Sequence, residues 1–547
     1  LPQRPLPPAP NERDVPKIPV TVELISPIPA KSLLEQTHPP PNYGEITVDP
    51  FTLMVSEFVE KPAGTDKEEE EKKEPFILEK SIFAPRAKLS DGHSFYTPRS
   101  ITQRAFNIDW SRCNTPHFRQ LIAREDDGGF VTADIELTEV RDALLESHQM
   151  LYSAYTYYCA LDGHADGHVM GMGVYFEFLR DARLIVQDSE YCNTKVYEEI
   201  FRAANIEVKG NTIEQRELNQ KNDDQALMRF EFLQIIVRIA INKYVRDKEA
   251  KYHKADVSDA VHALLNNDLL PNLPPEATRD PDLFRRKRLY TREVADLFTS
   301  YKPALTTIFE YYAAMEGEMM TMPGGLREAP SLTMFEFMTF LHDSQMLLEE
   351  HQTVADNPTG LTAMQMRLTL LWSKAFVSDE LKRRQKHTTA NYTDFLEMLG
   401  RICTFIDMPT KAMLKKQGVA TVKEFYDSGG MTSAVSKRGS VLTEGANNLS
   451  GGKVRATTPS GKPKEDEPQP FYWKTEEEST EPLVNSLEML INLILDRLDE
   501  GGDGKVCRAD LIKRRKRTEN EQEVMIALRG ASILGPEDED GPEPDGV

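Results

Sequence analysis

An internal repeat constrains this chain more than any other feature. Val140, Asp142, Leu144, Leu151, Tyr157, Tyr158, Ala160 and Gly163 precede Val294, Asp296, Phe298, Leu305, Tyr311, Tyr312, Ala314 and Gly317 by a constant 154 positions. Met172 and Phe178-Leu179-Arg180-Asp181 precede Met334 and Phe340-Leu341-His342-Asp343 by 162. Phe232-Leu233, Ile236, Arg238 and Ile239 precede Phe395-Leu396, Leu399, Arg401 and Ile402 by 163. The order of the matches is kept and the offset changes only by small insertions, so the chain is expected to fold as two like copies.

Each copy reads as four helices. Leu144, Leu145, Leu151, Ala154, Tyr155 and Tyr158 recur at spacings of three and four, as do Phe230, Leu233, Ile236, Val237 and Ala240. That period puts the apolar side chains on one helix face. Helices are predicted at 139–161, 172–186, 194–204 and 226–246, then at 292–316, 332–350, 361–377 and 389–406. A linking helix near 256–266 is followed by Pro-rich coil at 271–281. The fold class is therefore all-α, with two tandem four-helix units.

The flanks differ. Twelve prolines lie within the first 41 positions, which excludes helix and central strand there because proline fixes φ and lacks a donor. Residues 1–80 read as an extended Pro-rich arm, either a disordered tail or a segment that orders along another protein. Residues 81–137 carry spaced aromatic anchors (Phe83, Phe95-Tyr96, Phe106, Trp110) and read as a docking segment. The remaining boundaries are 138–250 for the first repeat, 251–290 for a connector, 291–410 for the second repeat and 411–481 for a flexible linker. A helix–loop–helix at 482–530 and an acidic tail at 531–547 complete the chain. The chain begins at Leu1 with a Pro-rich stretch, which does not read as a signal peptide and suggests an unseen start.

Charge narrows the function. There are 66 Lys+Arg against 88 Asp+Glu, a net −22, which argues against a general phosphate field for nucleic acid and against an anionic membrane surface. The five cysteines form no CxxC pair, so neither a zinc ribbon nor a disulfide framework is indicated, and a reducing compartment is expected. No apolar run approaches the ~20 residues that span a bilayer.

Paired helix–loop–helix elements raise the question of calcium. A twelve-residue calcium loop needs oxygens at positions 1, 3, 5, 7, 9 and 12 and a glycine at 6. The stretch from Asp162 supplies Asp162, Asp166 and Gly167, but His164 stands at position 3 and Gly173 at position 12, so it keeps a loop frame without the ligands. The equivalent stretch from Glu316 keeps no pattern. The stretch 499–510 comes nearest, with Asp499, Asp503 and Asp510 as candidate Ca²⁺ or Mg²⁺ ligands and Gly504 at position 6; Gly501 at position 3 brings no side-chain oxygen. Two readings stand, a weak cation site and a structural turn.

Other motifs are few. There is no phosphate-binding glycine loop, HExxH or GxSxG, so no catalytic residue or bound cofactor is assigned and an enzyme is not expected. His164 and His168 lie four apart in a Gly-rich loop without a third ligand. Lys513, Arg514, Arg515, Lys516 and Arg517 form a basic run, read either as a solvated helix face or as a contact to an acidic partner. Ser440 follows Lys437-Arg438-Gly439 and is a candidate phosphorylation site. The tyrosines at 152, 155, 157 and 158 read as core packing.

The loop frames and the stretches FLRD, VYEEIFRAAN and RFEFLQIIVRIAINKY resemble degenerate EF-hand domains and the p25-alpha (tubulin polymerization-promoting) family, over about 140–410. The Pro-rich arm, the SIFAPR stretch and the doubled repeat look like flagellar and ciliary axonemal proteins. The resemblance implies EF-hand-derived units without working calcium loops. It also implies a non-enzymatic structural or adaptor role in the cytoplasmic cytoskeleton of a cilium or flagellum, with other axonemal proteins and tubulin or the microtubule as partners, and neither nucleic acid nor membrane among them. The competing expectation is a calcium-responsive sensor that uses loop 499–510.

Overall fold

A computed structural model of the chain describes residues 75–122, 130–162, 167–205, 222, 225–248, 251–315, 330–349, 352–429 and 482–533. Helices dominate these residues. Short helix α1 (Ala84–Leu89) leads into α2 (Arg99–Cys113) and α3 (Pro116–Ile122). The first copy comprises α4 (Phe130–Leu161), α5 (Met172–Asp181), α6 (Thr194–Ala204) and α7 (Arg229–Ala240), which runs on through a wider turn to Arg246. Helices α8 (Val257–Ala263) and α9 (Pro281–Phe284) connect the copies. The second copy comprises α10 (Arg292–Ser300), α11 (Lys302–Tyr312), α12 (Met334–Asp343), α13 (Ala363–Ser373), α14 (Arg384–Thr388) and α15 (Tyr392–Phe405). Helices α16 (Lys411–Gln417), α17 (Val422–Asp427), α18 (Leu483–Leu498) and α19 (Arg508–Ile533) follow.

The two copies share contacts as well as residues. Strand β1 (Met170–Gly171), before α5, pairs antiparallel with β2 (Ala226–Leu227), before α7, with Met170 opposite Leu227. In the second copy Leu332 pairs antiparallel with Ala390, and these positions lie 162 and 163 beyond their counterparts. The Tyr158 hydroxyl donates to Asp181 at 2.6 Å, and the Tyr312 hydroxyl to Asp343 at 3.0 Å. Ring pairs repeat too: Tyr158–Phe178 and Tyr312–Phe340 both stand edge to face at 5.4 Å. Arg183 and Gln345, again 162 apart, both take φ 54° at the end of the second helix. Such a left-handed turn is uncommon outside glycine, so its recurrence marks a shared chain reversal.

Several helix bounds differ from expectation. The stretch 292–316 is two helices, because Pro303 lacks the N–H an interior turn requires and instead stands in the first turn of α11. Its counterpart in α4 is Gln149, and that helix is continuous. Helix α13 ends at Ser373, where Lys374 turns extended. The expected flexible linker at 411–481 begins with structure. Thr410 and Thr421 cap α16 and α17, Gly418 closes α16 at φ 70°, and Leu414, Val422 and Phe425 are buried. The rest of that segment, from residue 430 to 481, lies outside the described residues, as does the arm through residue 74.

Two large apolar clusters form the interior. One gathers α2–α8, and the other gathers α9–α13 and α15–α19 with Phe83 of the N-terminal stretch. Helix α18 belongs to the second: Leu487, Leu490, Ile491, Leu493, Ile494 and Leu498 are at most 1% exposed. At about 1.5–3 kcal/mol for each fully buried side chain of this size, 482–530 is part of the second core rather than a separate module. Residues 75–533 belong to one compact body. No helix among the described residues is long and apolar enough to cross a membrane.

Candidate functional site

Of the candidate metal residues, Asp499 is consumed by its own loop. Its Oδ1 accepts from the amides of Gly501 and Gly502 at 3.0 and 2.7 Å, and its Oδ2 from Gly504 at 2.7 Å. Asp503 accepts from the Lys505 amide, and Asp510, in the first turn of α19, accepts from the amide of Cys507, the residue before the helix. Among the described residues no group of three or more His, Cys, Asp or Glu is placed to hold a metal ion. The three carboxylates thus serve as turn and cap acceptors, and Gly501 offers no oxygen between them. In the first loop Asp162 is buried and accepts from the Gly171 amide, so it too ties down backbone. His164, Asp166 and the loop from Glu316 lie outside the described residues, as does Ser440.

The basic run divides. Arg514 is buried; its Nε donates to the Asp343 carbonyl at 2.8 Å and its Nη1 lies 3.4 Å from Glu500. Arg515 pairs with Asp343 at 3.4 Å and with Glu519 at 2.9 Å. These two are therefore not partner contacts but struts between α19 and the second copy. Lys513, Lys516 and Arg517 are exposed, and Arg517 lies 3.8 Å from Glu500.

The densest chemistry lies where the copies meet, around residues 374–387. Helix α13 ends there with carbonyls that have no intrahelical partner and a negative dipole end. Two guanidinium groups cover it. Arg86 Nη1 donates to the Ser373 carbonyl at 2.7 Å and Arg285 Nη2 to the Trp372 carbonyl at 2.9 Å. The same groups reach the carboxylates of α15: Arg86 to Asp394 at 2.9 Å and Glu397 at 3.1 Å, Arg285 to Glu397 at 2.9 Å. Arg401 completes the cluster, 2.7 Å from Glu397. Burial alone would raise the Glu397 carboxyl, but Arg285, Arg401 and Arg86 bring it below its ordinary range.

The first copy grips the same segment. Arg229, at the head of α7, donates to Asp109 at 2.7 Å and to the carbonyls of Val377 and Ser378 at 3.1 Å. Its guanidinium lies 4.7 Å from the Tyr152 ring centre and 5.2 Å from that of Phe376. The Tyr152 hydroxyl donates to Asp109 at 2.7 Å, and Glu380 accepts from the Arg229 amide at 2.9 Å. Arg112 reaches Asp379 at 2.7 Å.

Burial shifts the ionisable groups here. Lys374 is pushed down to about 7 by burial, which Asp394 only partly offsets. Glu380 is pushed up to about 7, again by burial, against the pull of Arg229. His168 and His387, with ring centres 4.2 Å apart, both lie well below the ordinary histidine range. Sequence reasoning singled out His168 for its spacing to His164; the structure pairs it with His387 instead. No local signal announces the others, because partners such as Arg86 and Glu397 stand 311 positions apart.

No family model, curated protein or solved structure matches the chain.

Proposed function

We propose that the chain is a non-enzymatic structural or adaptor component of a cytoskeletal assembly, with the ciliary or flagellar axoneme as its setting. One observation carries this reading: the frame is duplicated while the loops lack ligands. In each copy two helix–loop–helix halves face each other through an antiparallel bridge between their loops, Met170 to Leu227 and Leu332 to Ala390. That is the arrangement of a paired EF-hand, which we take each copy to be in degenerate form. Where the first loop is described, Asp162 serves the backbone. A scaffold that keeps the frame without the ions fits an adaptor, whose task is to present surfaces. The exposed Lys513, Lys516 and Arg517 suit an acidic partner such as tubulin, and residues 1–74 supply a long segment for other axonemal proteins.

Detergent-stripped axonemes test the proposal. The chain should stay with the microtubule pellet and leave it only on raising salt to about 0.5 M, where exposed charge pairs are screened. Release by mild detergent alone would overturn it.

A calcium-responsive role is the second reading. It is favoured by the approach of Asp499 and Asp510, whose Oδ1 atoms lie 3.5 and 3.3 Å from where a Gly501 Cβ would stand. Calorimetric titration of Ca²⁺ into the full chain decides between the two. The adaptor reading expects no binding tighter than about 10⁻⁴ M, and the sensor needs about 10⁻⁵ M or better.

A further inference from the structure

The seam between the copies holds a cavity of about 700 Å³, within the size range of small-molecule sites. Its mouth carries the exposed side chains of Arg99 and Arg286. Tyr152, Trp372 and Phe376 contribute flat walls. Its deep end is formed by the buried Lys374, Glu380 and His168, with the half-buried His387 beside them. Three buried atoms there, His168 Nε2, His387 Nε2 and Glu380 Oε2, have no hydrogen-bond partner, the last two meeting only at 3.7 Å. Buried polar groups are satisfied in almost all folded proteins, so the lone His168 nitrogen beside this loosely met pair points to an occupant.

The surrounding charge states its sign. After burial, His168 is held down by the neighbouring His387 and by Lys374 and Arg384, and His387 by Lys374, Arg229 and Arg384. Glu380 opposes them, but its Oε1 is engaged by the Arg229 amide and burial favours its protonated, donating form. The cavity lining holds five Lys or Arg against three Asp or Glu, an excess of cations inside a chain of net charge −22. A cationic ligand would meet Lys374 and Arg229. A metal would lack a third ligand, since no set of three donors occurs among the described residues.

We propose that this cavity binds a small organic anion with a flat apolar body, its acidic head meeting Lys374, His168 and His387 and its body lying along Tyr152, Trp372 and Phe376. An anion there would give the unpartnered imidazole nitrogens an acceptor for their protons and would restore charge to Lys374. The aromatic walls supply apolar area with fixed geometry, and Arg99 and Arg286 at the mouth would steer a negative ligand inward.

The full chain titrated with 8-anilinonaphthalene-1-sulfonate, followed by fluorescence, tests this. One saturable site is expected. Displacement by 2-naphthoate should need a concentration about tenfold lower than displacement by the neutral 2-naphthylmethanol, the scale of one charge-assisted hydrogen bond. The cationic 2-naphthylmethylamine should be weaker still. Lys374→Met should weaken naphthoate about tenfold and leave the alcohol within about twofold. Ser153→Trp, which places an indole in the cavity, should abolish displacement by both and remains informative where Lys374→Met fails to fold. Equal displacement by all three head groups would overturn the proposal. So would naphthoate binding that Ser153→Trp leaves intact, or no saturable site up to about 1 mM dye.

Discussion

At the scale of single residues, the chain buries charge where the copies meet and answers it with partners. Arg86 is 2% exposed and serves two carboxylates and two carbonyls of another part of the chain. Arg86→Ala leaves Asp394 and Glu397 short of a cation, so a loss of about 3–5 kcal/mol is expected, read as the shift in urea midpoint. Lys374 and Glu380 give a second test, in the pH dependence. Glu380 titrates higher when folded, about 7, than when unfolded, so the folded chain holds more protons between about 4.5 and 7. Its contribution is present below the unfolded value and is lost as pH rises through that window. Lys374 titrates lower when folded, about 7, so the unfolded chain holds more protons between about 7 and 10.5 and stability recovers there. The pair predicts a stability minimum near pH 7 in thermal melts. Glu380→Gln should flatten the falling limb and Lys374→Met the rising one; identical profiles in both variants and the parent would refute the assignment. SIFAPR stands out in the sequence as a segment, but nothing near Arg86 reveals that its carboxylates lie 308 and 311 positions away.

At the scale of elements, the repeat was legible because its matches are core residues. Tyr158 and Tyr312, Phe178 and Phe340, and Phe232 and Phe395 occupy equivalent places, and packing holds such positions to a narrow choice of side chain. Helix ends were less legible. Pro303 signalled a break that analogy with the first copy concealed. Thr421 with Glu424 forms a capping box for α17, a local signal hidden by the Gly- and Ser-rich stretch that follows. The loop carboxylates were legible as residues but not as acceptors of their own backbone. The copies also diverge at one equivalent pair. Asp181 accepts from Tyr158. Asp343 accepts from Tyr312 and also from Thr518 of α19 at 2.7 Å, with Arg515 at 3.4 Å. Burial alone would raise the Asp343 carboxyl; His342, Thr518, Arg515 and Tyr312 together hold it below the ordinary range. Asp343→Ala should therefore loosen α19, at about 2–3 kcal/mol for the lost charged bonds, seen as faster amide exchange over 508–518. Asp181→Ala should leave that stretch protected. Equal exchange in the two variants would show that α19 is held by its apolar contacts alone.

At the scale of the whole molecule, two apolar clusters would ordinarily allow two independent unfolding steps. The contacts between them argue otherwise. The segment after α13 is held from the first copy by Arg229, through Val377 and Ser378, and by Arg112, through Asp379. Asp91, before α2, accepts from Ser378 and pairs with Lys386 at 2.6 Å. Arg367 donates to the Ala160 carbonyl at 2.7 Å. These are hydrogen bonds to charged groups at buried or half-buried positions, worth about 1.5–3 kcal/mol each, and breaking the seam strands several of them at once. A chain so joined should unfold in one step, with calorimetric and van't Hoff enthalpies in agreement. Arg229→Ala removes the first copy's bonds to Val377 and Ser378 and leaves buried Asp109 with only Arg112, at 3.9 Å. It should lower the melting temperature and also split the endotherm, the first copy unfolding before the second. Two resolved transitions in the parent chain would mean that the copies are neighbours rather than one body. A single, merely shifted transition in Arg229→Ala would place the coupling in the other contacts across the seam, Arg112 with Asp379 and Arg367 with the Ala160 carbonyl.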